Sequence, residues 1–383
     1  MSFCRGTVVM TESPLGHRAR LPGIEALRGY AAFAILIFHV IHMTNAAVPQ
    51  SLEFMKVFLA YGVPLFFVIS AFSLAYGYAG RLSGPRQVTD FYLRRLFRIA
   101  PLYYLAILAQ LAVIASYGAP QPSWSDLVLA FSFTFNLHPQ MVDGIAPASW
   151  SIGVEMLFYA VFPVALAFAA TLPRAIFLTA ALTVVSVFYA LAINKLKLNP
   201  TFITHGLAFN LPYFGYGLVA YQLLQVAPAR WGGLLSVAGL LLVVLAWAVA
   251  PIFTGPGANG VANVLYMLTW GAPFGVLCLG MALSPPKFLS NRLTQFLGTI
   301  SFGVYLGHPQ VILMLDSVGV YARIRDLPGG SGVTFLLAVL ATSCVAIALG
   351  WVLFRYVEAP GIMLGRRLAG RLEPRVSEQA ASA

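Results

Sequence analysis

The 383-residue chain is 60% apolar and 9% charged, against roughly 45–50% and about 25% for an ordinary soluble domain. A water-soluble core has no place for that much apolar surface, whereas a bilayer does, so a soluble enzyme is excluded and an integral membrane protein is expected. The formal net charge of +11 does not point to nucleic acid, because the basic residues fall between apolar runs, where they set topology and meet anionic lipid or ligand.

The chain opens with a polar stretch, 1–22, that lacks the layout of a signal peptide and reads as a cytoplasmic tail. Apolar runs long enough to cross a bilayer then follow near 24–45, 56–79, 98–118, 148–170, 174–193, 205–226, 231–253, 262–284, 296–317 and 332–356. They predict an all-α, polytopic membrane helix bundle of about ten spanning helices over 23–358. One further run, 124–138 (WSDLVLAFSFTFNLH), is too short to span and is expected to be re-entrant or interfacial. With both termini cytoplasmic, this arrangement puts 18 of the 23 Lys and Arg residues inside and leaves Lys56, Lys195, Lys197, Arg323 and Arg325 outside. Making 124–138 a full span would reverse every later loop, which the positive-inside rule disfavours. Lys195 and Lys197 fit least well. The segment 359–383 reads as a basic cytoplasmic tail, Ala/Ser-rich and disordered at its end. The chain shows neither an internal repeat nor a second folded domain. Cys4, Cys278 and Cys344 are scattered, so neither a disulfide framework nor a metal site is expected.

Ionisable residues inside spans cost free energy, so they face the bundle interior or a wet cavity and mark function. In the first span Arg28 and His39 are eleven residues apart, about 16 Å and close to three turns on a helix, so both point the same way. Arginine suits a phosphate and histidine suits proton transfer near neutrality. A snorkelling arginine and a packing histidine are the competing structural reading. In FYLRRLFRIAPLYY (91–104), Arg94, Arg95 and Arg98 gather at the expected cytoplasmic mouth of the third span. They are either topogenic charges or a site for a polyanion. Glu155 lies two turns into ASWSIGVEMLFYAVFP (148–163), and Trp150 fits an interfacial belt. Glu155 must pair across helices or face water. His308 in ISFGVYLGHPQ (300–310) precedes Pro309, which loosens the helix and frees a carbonyl. Structural and catalytic roles both remain open for it. Ser70 in VPLFFVISAFSL (63–74) is packing glue more readily than a nucleophile, since no GxSxG elbow surrounds it. His42, His138 and His205 lie near span ends and carry weaker signals.

The run Leu27-Arg28-Gly29 followed by His39 resembles the Arg-x10-His signature of the acyltransferase-3 family of membrane acyltransferases, with Glu25 in place of its usual acidic residue. FFVISAFSL, RRLFRIAPLYY, WSIGVEMLFY, SFGVYLGH and Glu358-Ala-Pro360 continue the resemblance in the family's order over about 25–360. Ala71 departs from the usual glycine after the serine, and Phe302 from a frequent tyrosine. The resemblance implies transfer of an acyl group, acetyl before a longer chain, from acyl-CoA to a hydroxyl of a carbohydrate or glycoconjugate in a bacterial inner membrane. No metal is implied.

Residues and resemblance together give an expected mechanism. The CoA nucleotide stays at the cytoplasmic mouth, where Arg28, Arg94, Arg95 and Arg98 offer countercharge. The thin pantetheine arm enters the bundle and brings the thioester to His39, the general base on the acceptor hydroxyl. Glu25 orients Arg28, while Ser70 and Trp150 belong to the binding surroundings. Glu155 or His308 holds the acceptor or steadies an imidazolium, and a transient acyl-histidine is the variant. The rival classes are a transporter or flippase for a lipid-linked sugar, which would show two related halves, and a non-catalytic membrane sensor.

Overall fold

The computed structural model describes residues 20–44, 46–250, 252 and 260–370. Of the expected N-terminal tail, 1–22, residues 1–19 lie outside the described residues, as do 371–383 of the expected C-terminal tail, 359–383, whose first part, Ala359–Gly370, is helical. Among the described residues every regular element is helical and no strand occurs.

Helix α1 is Pro22–Thr44. Proline at its first position needs no N–H partner, and Glu25 in the first turn complements the helix dipole. Irregular turns from Gln50 lead into α2, Gly62–Tyr78, and together they form one 29-residue apolar stretch. Helix α3 is Pro85–Ser116. Its 32 residues extend about 48 Å, well beyond a hydrocarbon core of roughly 30 Å, so the helix tilts or projects beyond the apolar layer. Helix α4, Trp124–Phe131, opens with a capping box between Ser123 and Asp126 and has only eight residues. It spans about 12 Å and cannot cross. Then come α5, Trp150–Phe168, α6, Leu172–Lys195, α7, Leu207–Leu224, and α8, Gly232–Ala248. Helices α9, Gly260–Thr269, and α10, Gly271–Leu283, adjoin at Trp270. Helices α11, Arg292–Thr299, and α12, Ser301–Ser317, meet at a 69° bend. After α13, Val320–Arg325, helix α14, Gly330–Leu353, passes through a π-helical turn, Phe354–Glu358, into α15, Ala359–Gly370. The wide turn has a local cause. Pro360 brings no N–H, and the N–H of Ala359 reaches back five residues to Phe354 O.

Eight described helices are long and apolar enough to cross a membrane, and up to nine with the bent α11–α12 pair. The remaining expected span, 205–226, is α7. It carries Asn210, Pro212 and Gln222, and residues on all its faces are buried by neighbouring helices, including α2, α6 and α10. A helix shielded from lipid has no need of an apolar surface, which is why α7 falls outside that group. The chain is an all-helical polytopic membrane bundle.

Successive passes alternate in direction. The start of α3 meets the end of α5, with Tyr92 Oη donating to Ala160 O, while later in α3 Tyr103 and Tyr104 donate to carbonyls at the end of α4. Helix α4 therefore returns the chain to the end of the bundle it came from. The start of α1, the end of α2, the start of α3 and the end of α14 gather at the opposite end, with Arg28, Arg95, Arg98 and Glu358.

Without a hydrophobic drive between helices in lipid, close packing of small residues holds such a bundle together. Gly298 of α11 lies against α1 so closely that a Cβ there would sit 1.7 Å from Glu25 O. This contact fixes the turn that carries Glu25 and Arg28. Gly298→Ala is expected to destabilise the protein by about 1–3 kcal/mol, as overpacking does. Gly233→Ala, whose Cβ would meet nothing within 4 Å, is expected to leave thermal unfolding in detergent unchanged.

Candidate active site

Two cavities approach each other inside the bundle. The first lies at the arginine-rich end and has a free volume of about 90 Å³. Arg28 of α1, Ser70 and Ser73 of α2, Arg95 and Arg98 of α3, Glu155 and Tyr159 of α5, and Ser301 and Tyr305 of α12 are among its walls. The geometry of Arg28 is set by two bonds, from Nη1 to Glu25 Oε1 at 3.0 Å and from Nη2 to Ser73 Oγ at 3.0 Å. Arg95 donates from Nη2 to Tyr78 Oη at 3.3 Å, with its guanidinium carbon 5.5 Å from the Tyr78 ring centre. Its Nε is buried and has no hydrogen-bond partner among the described residues. Arg98 Nη2 is 3.9 Å from Oε1 of the buried Glu358, a loose pair. Glu155 Oε1 accepts from Ser70 Oγ at 2.5 Å and from the Tyr159 hydroxyl. Three guanidinium groups face one carboxylate in this lining, so the cavity suits an anion at its mouth. Its narrowness suits a thin chain behind that anion.

His39 lies three turns further along α1. Its Nδ1 is 2.9 Å from His308 Nε2 and 3.1 Å from Ile35 O. His308 is fully buried, and its Nδ1 is 3.1 Å from Val304 O. For two neutral rings one proton arrangement satisfies all three contacts. His308 Nδ1–H donates to Val304 O, so His308 Nε2 is a lone pair. His39 Nδ1–H then serves that lone pair and Ile35 O, which leaves His39 Nε2 unprotonated. A base whose other nitrogen is held by a third group is the usual layout for proton abstraction.

The second cavity, of about 340 Å³, has His39 in its wall. Ile35, Phe38 and Val63 line it from α1 and α2, Asp143 to Ala148 from the loop before α5, and then Trp150, His205 and Tyr305. His205 Nδ1 is 2.5 Å from Asp143 Oδ1. The His205 ring lies flat on Trp150, centres 4.1 Å apart and planes within 6°. Tyr305 is the wall common to both cavities. Its hydroxyl donates to Ala148 O at 2.8 Å and accepts from Ser151 Oγ at 2.7 Å, and its ring meets Phe66 edge-on at 5.6 Å.

Asn136 ties this loop together. Its Nδ2 donates to His205 O at 2.8 Å, and its Oδ1 accepts from Leu207 N at 2.9 Å, at 1% exposure. Asn136→Ala strands both backbone groups, at about 1–3 kcal/mol for each buried orphan. A lower melting temperature in detergent is the expected result.

Residues 21–355 match the family model for an acyltransferase domain, Acyl_transf_3. The chain belongs to the acyltransferase-3 family. Among its relatives, a provisionally named acetyltransferase, ORF330, of Acidianus two-tailed virus is 28% identical over 309 residues, covering 78% of this chain and 86% of its own length. Acyltransferase MdmB of Streptomyces mycarofaciens is 28% identical over 378 residues, covering 91% of this chain and 93% of its own. No solved structure matches the chain.

In this acyltransferase the residues singled out from sequence separate into two groups. Arg28, Ser70, Arg95, Arg98 and Glu155 line the first cavity, with Glu25 behind Arg28. His39 and Trp150 line the second, with His308 behind His39. Two placements differ from the expectation. Arg94 is not in the lining: its Nε bonds Asp90 Oδ2 at 2.7 Å, one turn back on α3. Glu155 stands on the arginine side, bonded to Ser70 and Tyr159, whereas His308 alone of the two candidates touches His39. Asp143, His205, Asn136 and Tyr305 received little or no weight from sequence. A histidine near a span end and an Asp in a connecting loop carry no periodic signal, although Tyr305 sits inside the SFGVYLGH block. Among the described residues no group of three or more His, Cys, Asp or Glu side chains could hold a metal ion.

Proposed function

We propose that the acyltransferase moves an acetyl group from acyl-CoA, entering at the arginine-rich end, to a hydroxyl of a carbohydrate or glycoconjugate, with His39 as general base. One observation carries the reading: the His39 imidazole, with Nδ1 committed to His308, stands about 16 Å along one helix from Arg28, which lines the arginine-rich cavity. That distance matches the reach of a pantetheine arm. The CoA phosphates pair with Arg28, Arg95 and Arg98, and the buried Nε of Arg95 is a ready donor. The first cavity, with a free volume of about 90 Å³, keeps the nucleotide outside and has to widen as the arm enters.

In the reaction, His39 Nε2 takes the proton from the acceptor hydroxyl as its oxygen attacks the thioester carbonyl. The tetrahedral intermediate expels the CoA sulfur as the C–S bond breaks. The imidazolium returns its proton to the thiolate, giving the O-acyl ester and free CoA. His308 keeps the His39 ring oriented throughout. Excess Lys and Arg at the donor end favour placing that end, and both termini, in the cytoplasm of a bacterial inner membrane. Tyr305, the wall between the two cavities, must shift for acyl group and hydroxyl to come together.

The test supplies labelled acetyl-CoA to membranes that carry the protein. Alkali-labile label in envelope glycan, absent from membranes without the gene, is the expected result. Acetyl-CoA that remains unconsumed, with no ester on any glycan by mass spectrometry, contradicts the reading.

A further inference from the structure

The chemistry of the second cavity is unlike that of the first, and it names the acceptor more closely. No Lys or Arg is among its lining residues, and its charged group is the Asp143 carboxylate. Asp143 is largely exposed, with 60% of its side chain accessible, and holds His205 at 2.5 Å. With Nδ1 of His205 committed to that bond, Nε2 is the ring's remaining polar atom. Ile35, Phe38, Val63 and Ile145 give the cavity an apolar wall of the kind that meets the C–H face of a sugar ring. His39, the base, is in the same lining.

Resting on the reading above, we propose that this cavity is the acceptor site, and that it takes a ring hydroxyl of an uncharged or amino-bearing glycoside and rejects one bearing a carboxylate. Asp143 and His205 bind the acceptor by hydrogen bonds to hydroxyls beside the one acylated. Asp143 supplies the discrimination. A carboxylate on the acceptor meets a like charge with no Lys or Arg in the lining to offset it, and an ammonium meets a partner. His205, held flat on Trp150, is a rigid donor or acceptor that needs no reordering when the ligand arrives.

The test uses purified protein, labelled acetyl-CoA and three surrogate acceptors: methyl glucoside, methyl glucosaminide and methyl glucuronide. The wild-type protein is expected to acetylate the first two at least about tenfold better than the glucuronide, the cost of one uncompensated like-charge contact. Asp143→Asn keeps a hydrogen-bond acceptor and, on an exposed side chain, keeps the fold. It is expected to bring the glucuronide close to the glucoside while the KM for acetyl-CoA stays unchanged. His205→Gln is expected to raise the KM for both favoured glycosides and leave that for acetyl-CoA alone. Equal use of glucuronide and glucoside by the wild type, or an unchanged preference in Asp143→Asn, overturns the assignment. So does labelling of native glycan with none of the three glycosides used. A wild-type protein that transfers label to nothing fails the acyl-transfer reading instead, and separates the two.

Discussion

Replacing His39 by alanine is expected to lower acyl transfer by about 10²–10⁴-fold, the ordinary worth of a general base, with acetyl-CoA binding unchanged. The separation of effects follows from the geometry. His39 lines the cavity away from the arginines, so its loss removes the proton acceptor and leaves the donor's contacts in place. His308 gives the sharper comparison. It is fully buried and touches His39 Nδ1 at 2.9 Å. His308→Gln offers His39 a carbonyl oxygen in place of the lone pair, whereas His308→Leu offers nothing. Activity in the order wild type, Gln, Leu, with Gln retaining about tenfold more than Leu, is the expected outcome for a group that orients the base. Equal losses in both variants would mark His308 as a packing residue. A His39→Ala protein that is inserted and folded and still transfers at wild-type rate would remove the base assignment.

The second large effect is on the donor. Arg95→Ala with Arg98→Ala is expected to raise the KM for acetyl-CoA by at least about 10²-fold, since hydrogen bonds to charged groups contribute about 1.5–3 kcal/mol each. Arg94→Ala is the control. Its guanidinium is spoken for by Asp90 at 2.7 Å and lies outside the lining, so the KM is expected to stay near that of the wild type. Steady-state kinetics over a range of acetyl-CoA concentrations distinguishes the two. A double variant with unchanged KM would leave the arginines as topogenic charges.

The contrast between Arg94 and its neighbours shows where sequence stops being informative. The cluster 94–98 was plain from charge in an apolar setting, and the i,i+4 spacing put Arg94 and Arg98 on one face. Which arginine reaches the cavity depends on the roll of α3 against α2 and on an acceptor one turn back, Asp90, and neither is written in the spacing. The all-helical membrane architecture was legible because lipid demands long apolar runs. Helix α7 is expected as a span but falls outside the long apolar helices, because it carries Asn210, Pro212 and Gln222, which its burial among other helices tolerates. His39 and His308 were each visible as ionisable residues where lipid forbids them, but their partnership crosses 269 positions of sequence. Asp143 and His205 were the least legible. Both sit in connections, where charge is unremarkable until the loop folds back over the bundle and Asn136 pins it there.

A structure of the protein with a non-hydrolysable acetyl-CoA analogue tests the two-cavity account most directly. The account predicts the nucleotide phosphates on Arg28, Arg95 and Arg98, the pantetheine arm threaded past Ser70 and Glu155, and Tyr305 displaced. The acetyl carbon should then lie where a hydroxyl oxygen bonded to His39 Nε2 stands within about 3–3.5 Å of it. An analogue whose nucleotide occupies the Asp143–His205 side, or whose acetyl group ends in the first cavity behind an unmoved Tyr305, would contradict it.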